Sequence, residues 1–131
     1  EAIDALSEPW SDLAVSTTGA AALPTNPILR TADEDIIWWL TWDGVWGNWL
    51  EIDGSQVPGL AAEDVNGLWY DQDVYDYYLT ILGPFNLGGV VGDGRSIVRL
   101  TYDHGWQTSL VPWLAPGAVF PSTIDAIELA R

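Results

Sequence analysis

Apolar and polar positions along this chain alternate rather than recur every third or fourth residue. Leu13, Val15 and Thr17 alternate with Ala14, Ser16 and Thr18, the period-2 pattern of a strand whose successive side chains point to opposite faces. Ile36, Ile37, Trp38, Trp39 and Trp42 combine β-branched and aromatic residues, which strands prefer. Asp43-Gly44 follows that run and reads as a tight hairpin turn. His104-Gly105 holds the corresponding place later in the chain, and Asp53-Gly54-Ser55, Pro58-Gly59, Gly88-Gly89, Asp93-Gly94 and Pro116-Gly117 mark further turns. These signals predict strands at about 2–7, 11–18, 35–42, 45–53, 64–70, 76–82, 95–102, 106–114 and 123–129. Thr123 to Ala130 also reads as a capped helix, but its likeness to two earlier strand segments favours a strand.

That likeness is part of an internal repeat. Ile3-Asp4-Ala5-Leu6 returns as Val65-Asn66-Gly67-Leu68 and again as Ile124-Asp125-Ala126-Ile127. Leu40-Thr41-Trp42-Asp43 returns as Leu100-Thr101-Tyr102-Asp103, and Ile37, Trp46 and Leu50 match Ile97, Trp106 and Leu110 at the same 60-residue offset. On this alignment Leu13-Ala14-Val15 matches Leu79-Thr80-Ile81, with an insertion around Asp71 to Asp76 in the second copy and Pro24-Thr25-Asn26-Pro27 restoring the length in the first. Self-similarity in one order at several landmarks marks a repeated supersecondary unit.

Each copy therefore carries four strands, the content of one propeller blade, and about four to eight blades close a ring. The expectation for one isolated chain is an all-β domain: repeat one (1–62) and repeat two (63–122), packed as a pseudo-two-fold sandwich or barrel. A closing strand within 123–131 would lie beside the first copy and cover an edge. The alternative is two propeller-like blades, with a ring completed by several chains.

Charge narrows the function classes. Nineteen acidic residues face four arginines, with no lysine, for a formal net charge of −15. That balance repels phosphate backbones, so nucleic acid is not an expected partner. Anionic membrane surfaces are disfavoured too. No apolar run approaches the roughly 20 residues of a membrane helix, so no membrane insertion is expected. The charge also has a plain use, keeping a 48% hydrophobic chain soluble. The chain has no cysteine and no methionine, not even at position 1. A processed chain is expected, either a mature secreted protein or a piece of a longer one.

No reaction is named by these residues. The single histidine, His104, falls in a turn, and no G-x-S-x-G elbow or phosphate loop is present. A glycosidase needs two carboxylates at a set separation, and with 19 carboxylates some pair meets that distance by chance. No cofactor is called for except calcium. Asp71, Asp73 and Asp76 offer clustered carboxylates on a turn, as calcium requires, but without EF-hand spacing. The competing reading is a solvated acidic loop.

The nine tryptophans are the other unusual feature. Those shared by both copies are expected in the core. On the 60-residue alignment Trp39 matches Arg99 and Trp49 matches Ser109. Such unrepeated aromatics are candidates for an exposed binding face, and Tyr75, Tyr77 and Tyr78 beside the acidic loop are expected to join it.

In its "IDAL"-type strands (Ile3 to Leu6, Val65 to Leu68) the chain resembles repeats of uncharacterised secreted or surface-exposed bacterial proteins. The acidic lead-in Ala32-Asp33-Glu34-Asp35-Ile36-Ile37, the segment Gly92 to Arg99, and Trp49-Leu50-Glu51-Ile52-Asp53-Gly54-Ser55 extend the resemblance. It departs from the pattern at Pro112 and Trp113. The resemblance implies an extracellular or cell-surface location and a non-catalytic role, and transfers no functional residue. The expected function is a structural or interaction domain, a subunit of a surface or filamentous assembly, with other protein chains or copies of itself as partners. The alternative is a carbohydrate-binding module that stacks sugars on exposed tryptophan beside the acidic loop.

Overall fold

The computed structural model of the protein describes residues 3–7, 13–17, 19–20, 22–23, 26–42 and 45–111. The first copy supplies β1 (Ile3–Ser7), β2 (Leu13–Thr17), β3 (Ala22–Leu23), β4 (Asn26–Arg30), β5 (Ile36–Trp42) and β6 (Val45–Ile52). The second supplies β7 (Val65–Asp71), β8 (Asp76–Ile81), β9 (Phe85–Leu87), β10 (Val90–Gly92), β11 (Val98–Tyr102) and β12 (Trp106–Leu110). The fold is all-β: β1-β2-β5-β6 form one antiparallel sheet and β7-β8-β11-β12 the other, with no closed barrel among the described residues. A short hairpin, β3–β4 or β9–β10, sits at the same point of each copy. These two hairpins were not among the expected strands. The expected strand at 123–129, Pro112, Trp113 and the Asp43-Gly44 turn lie outside the described residues.

The repeat is visible in the hydrogen-bond register. In β1 the pairing slips between Ile3 and Ala5, and in β7 it slips between Val65 and Gly67. A β-bulge of this kind bends a strand and sharpens its twist. Ile3 then faces Thr17 as Val65 faces Ile81. Counting from the bulges, Val15 corresponds to Leu79, and Ala14 to Tyr78. Val15 pairs with Ile37, and Leu79 with Val98. Two alignments drawn from sequence are thereby corrected. The second strand is offset by two residues from the sequence match, a slip that leaves an alternating pattern unchanged. Arg99 corresponds to Trp38 rather than Trp39, because the hairpin after β5 has two loop residues and the one after β11 has three.

One core joins the sheets. Ala14, Ile36, Trp38 and Ile52 from the first copy pack with Val65, Leu68, Tyr70, Tyr77, Leu79, Ile81, Val98 and Leu100 from the second. Burying this many aliphatic and aromatic side chains is the main source of stability. The link between copies adds to it: single 3-10 turns at 54–56 and 60–62 bury Val57 and Leu60 in the same core. Polar bonds fix the join. Ser16 Oγ donates to Val65 O at 3.1 Å, and the Val65 N–H donates to Asp33 O at 3.3 Å.

The packing is sandwich-like, but the copies do not meet as a two-fold pair. The register equivalents of Ala14, Ile36 and Ile52 are Tyr78, Ile97 and Val111, which belong to a separate cluster with Trp69 packed against it. The face that the first sheet turns inward is the face that the second sheet turns outward. A two-fold would bring like faces together.

Candidate functional site

Strand pairing assembles a row of six aromatic rings. Trp38 and Trp49 are opposite each other on β5 and β6 and stack at 6.4 Å with their planes 20° apart. The edge of the row crosses to the second sheet where Trp38 meets Tyr70 at 5.1 Å, nearly perpendicular. Tyr70 contacts Tyr77 at 4.7 Å, Tyr77 contacts Trp106 at 6.2 Å, and Trp106 contacts Tyr102 at 5.1 Å. The middle of the row is core, while its two ends reach solvent: Trp49 is 43% exposed and Tyr102 66%. Edge-to-face and offset contacts of this kind add to simple burial.

Glu51 organises one end. It lies two residues beyond Trp49 on β6, at the register irregularity between the Leu50 and Ile52 pairs. Its Oε2 accepts from Trp49 Nε1 at 2.6 Å, and its Oε1 accepts from the Tyr77 hydroxyl at 3.2 Å. Burial pushes the Tyr77 phenol far above its ordinary pKa, and the Glu51 charge adds to this. Tyr77 is therefore a neutral donor at any physiological pH. Trp49 presents a ring whose own N–H is already occupied, held in one orientation by a carboxylate and a stacked neighbour.

The expected aromatic set divides accordingly. Trp49 and Tyr75 are exposed. Tyr77 is not: it is 2% exposed and sits in the core, which corrects the expectation that it joins a surface. The reason is that β8 is buried on both faces along its whole length, so no side chain of Asp76-Tyr77-Tyr78-Leu79-Thr80-Ile81 reaches open solvent. Trp39 is placed by its backbone alone, across from Leu13 and Asn48.

The acidic loop is a hairpin turn. Asp71 and Asp76 face each other at its base. Asp71 Oδ1 accepts from the Asp73 N–H at 3.0 Å, the local bond by which an aspartate shapes its own turn. Asp76 is 5% exposed and accepts from Arg99 Nε at 2.7 Å. That bond, above all, raises the Arg99 pKa further. The three aspartates thus have different surroundings: Asp76 faces a guanidinium, and Asp71 holds the turn. Among the described residues no group of three or more His, Cys, Asp or Glu is gathered to hold a metal ion. Tyr75, at the turn's tip, has φ 60 and is 69% exposed. A bulky residue in that left-handed region is strained by about 1–2 kcal/mol.

Sequence reasoning passed over three polar residues with defined work. Glu51 joins the copies. Arg99 neutralises Asp76. Asp35, 6% exposed, accepts from Ala32 N at 2.8 Å and Gly54 N at 2.9 Å, tying the turn before β5 to the turn after β6. The signal for Arg99 was available, since it is one of only four cations. His104 stands 98% exposed in its turn, 3.5 Å from Asp103.

No helix among the described residues is long and apolar enough to cross a membrane. No protein-family model, curated protein or solved structure matches this chain.

Proposed function

We propose that this chain is a non-catalytic, extracellular interaction domain that works by contact with other protein chains, its own copies included. One observation carries the reading. Among the described residues the sheets end on one side in β6 and β12, and these two strands hold a single charged residue between them, Glu51. Edge strands normally carry charge, lysine above all, to prevent pairing with another chain. Here Val45 (69% exposed), Trp49 and Leu110 (42%) lie on those strands instead. Tyr102, at the end of β11, and Tyr75, at the tip of the β7–β8 turn, are further exposed aromatics. The −15 charge keeps such a surface soluble and makes it selective for neutral or basic partners.

The test is light scattering of the purified chain over a concentration series, with Val45→Lys and Leu110→Lys beside the parent. Growth of mass above 14.3 kDa in the parent alone supports the reading. A parent that stays monomeric throughout, and captures no protein partner that the variants lose, overturns it. A second reading has its own observation, the Trp49 ring fixed in place by Glu51. A platform of that kind suits stacking against a sugar face. A glycan array on parent and Trp49→Ala separates the two, because sugar binding that disappears with Trp49 needs no change in mass.

A further inference from the structure

The unlike-face packing of the copies leaves one half of an interface over. In the first copy, the face made by Ala14, Ile36, Trp38 and Ile52 receives β7, seated by the Ser16–Val65 and Val65–Asp33 bonds. The same register positions of the second sheet are Tyr78, Ile97, Arg99 and Val111, and Thr80 stands where Ser16 does. The likeness extends to the adjoining turns. The Asp35 N–H donates to Ala32 O at 3.1 Å, and the Ser96 N–H donates to Asp93 O at 2.9 Å. Yet Tyr78, Ile97 and Val111 pack outside the main core, and Thr80 is wholly buried. A face built to the same pattern calls for the same kind of cover.

The sequence contains one more segment of that kind. Ile124-Asp125-Ala126-Ile127 repeats Val65-Asn66-Gly67-Leu68 and Ile3-Asp4-Ala5-Leu6, with a small residue, Ala5, Gly67 or Ala126, in the third place of each, which in β1 and β7 directly follows the bulge. The spacing agrees too. Val65 follows Ile52 by 13 positions, and Ile124 follows Val111 by 13, with a Pro-Gly pair inside each connection. We infer that the outward face of the second sheet is a seat for a third first strand, and that residues 123–129 of the same chain occupy it as β7 occupies the first sheet. Ile124 takes the place of Val65, so its backbone meets Thr80 as Val65 meets Ser16.

The chain has no cysteine, so a cross-link reads the contact directly. Thr80→Cys with Ile124→Cys is expected to oxidise to a monomeric disulfide with loss of both free thiols. Thiols that both stay free in the folded protein overturn the inference. So does a cross-link that forms between one chain carrying only Thr80→Cys and another carrying only Ile124→Cys, which would assign the seat to a second copy. Ile127→Asp in the full chain is the companion variant. It is expected to lower the thermal midpoint, since its counterpart Leu68 is a core residue, and an unchanged midpoint contradicts the seat.

Discussion

Trp38 and Arg99 occupy the same register position in the two copies and do opposite things. Trp38 faces inward, pairs with the small Ala14, and fills the join against Tyr70. Arg99 faces outward, pairs with the large Tyr78, and reaches the buried carboxylate of Asp76. Both positions keep a large side chain beside a strand partner of complementary character, but one buries apolar area and the other resolves a charge. Equivalent backbone frames thus diverge where their neighbours differ. The position that meets a second sheet becomes aromatic, and the position that meets an aspartate becomes cationic.

The widest separation should appear on truncating both. Trp38→Ala is expected to cost about 3–5 kcal/mol, because the ring is nearly fully buried and leaves a cavity between the sheets. Arg99→Ala should cost about 1–3 kcal/mol, mostly from leaving Asp76 without its donor. The Arg99 side chain is 37% exposed, which holds the figure down. Urea unfolding of both variants checks this. Equal losses would mean that the outward face is as much a part of the core as the inward one.

A smaller effect probes the join itself. Ser16 and Thr80 are equivalent and both buried, but Ser16 bonds across to Val65 while Thr80 bonds within its own copy to Asn66 Oδ1 at 3.0 Å. Ser16→Ala is expected to cost about 1 kcal/mol. It should also speed hydrogen exchange at Val65, whose carbonyl and N–H both serve the join. Thr80→Ala should leave Val65 exchange at the parent rate. If the two substitutions protect or expose Val65 alike, the bond from Ser16 is not what ties the copies together.

The strands were legible in the chain because alternation, β-branched residues and turn pairs all agree there. Ile36 to Trp42 and the run from Asp76 to Ile81 fell where expected. Register was less legible. Period-2 patterns match themselves after a two-residue slip, so Leu13-Ala14-Val15 was set against Leu79 rather than Tyr77. The burial of Tyr77 was readable in retrospect: Tyr77-Tyr78-Leu79-Thr80-Ile81 is a nearly unbroken apolar run, the mark of a strand covered on both faces. The two short hairpins were missed because β3, β9 and β10, at two or three residues each, carry too few positions to show a period. Glu51 was invisible as a bridge, since its partners Trp49 and Tyr77 lie on different sheets.

The smallest effect concerns the acidic turn of the first copy. Glu34 lies against Gly54, and burial raises its pKa above the ordinary 4.5, with the charges of Asp35, Asp33 and Asp53 acting the same way. Its counterpart in the second copy, Arg95, instead forms an exposed pair with Asp93 at 2.9 Å. A raised carboxyl holds its proton longer in the folded chain than in the unfolded one. Its contribution therefore favours folding below the unfolded pKa and is lost as pH rises through the folded pKa. Glu34→Gln keeps the shape without the charge. It is expected to raise the thermal midpoint slightly at pH 7, with the gain shrinking as pH falls below the ordinary carboxylate range. A gain of the same size at pH 7 and pH 4, or a loss at pH 7, would show that Glu34 is not held there against its neighbours' charge. The contrast between a strained acidic turn in one copy and a neutralised one in the other would then disappear.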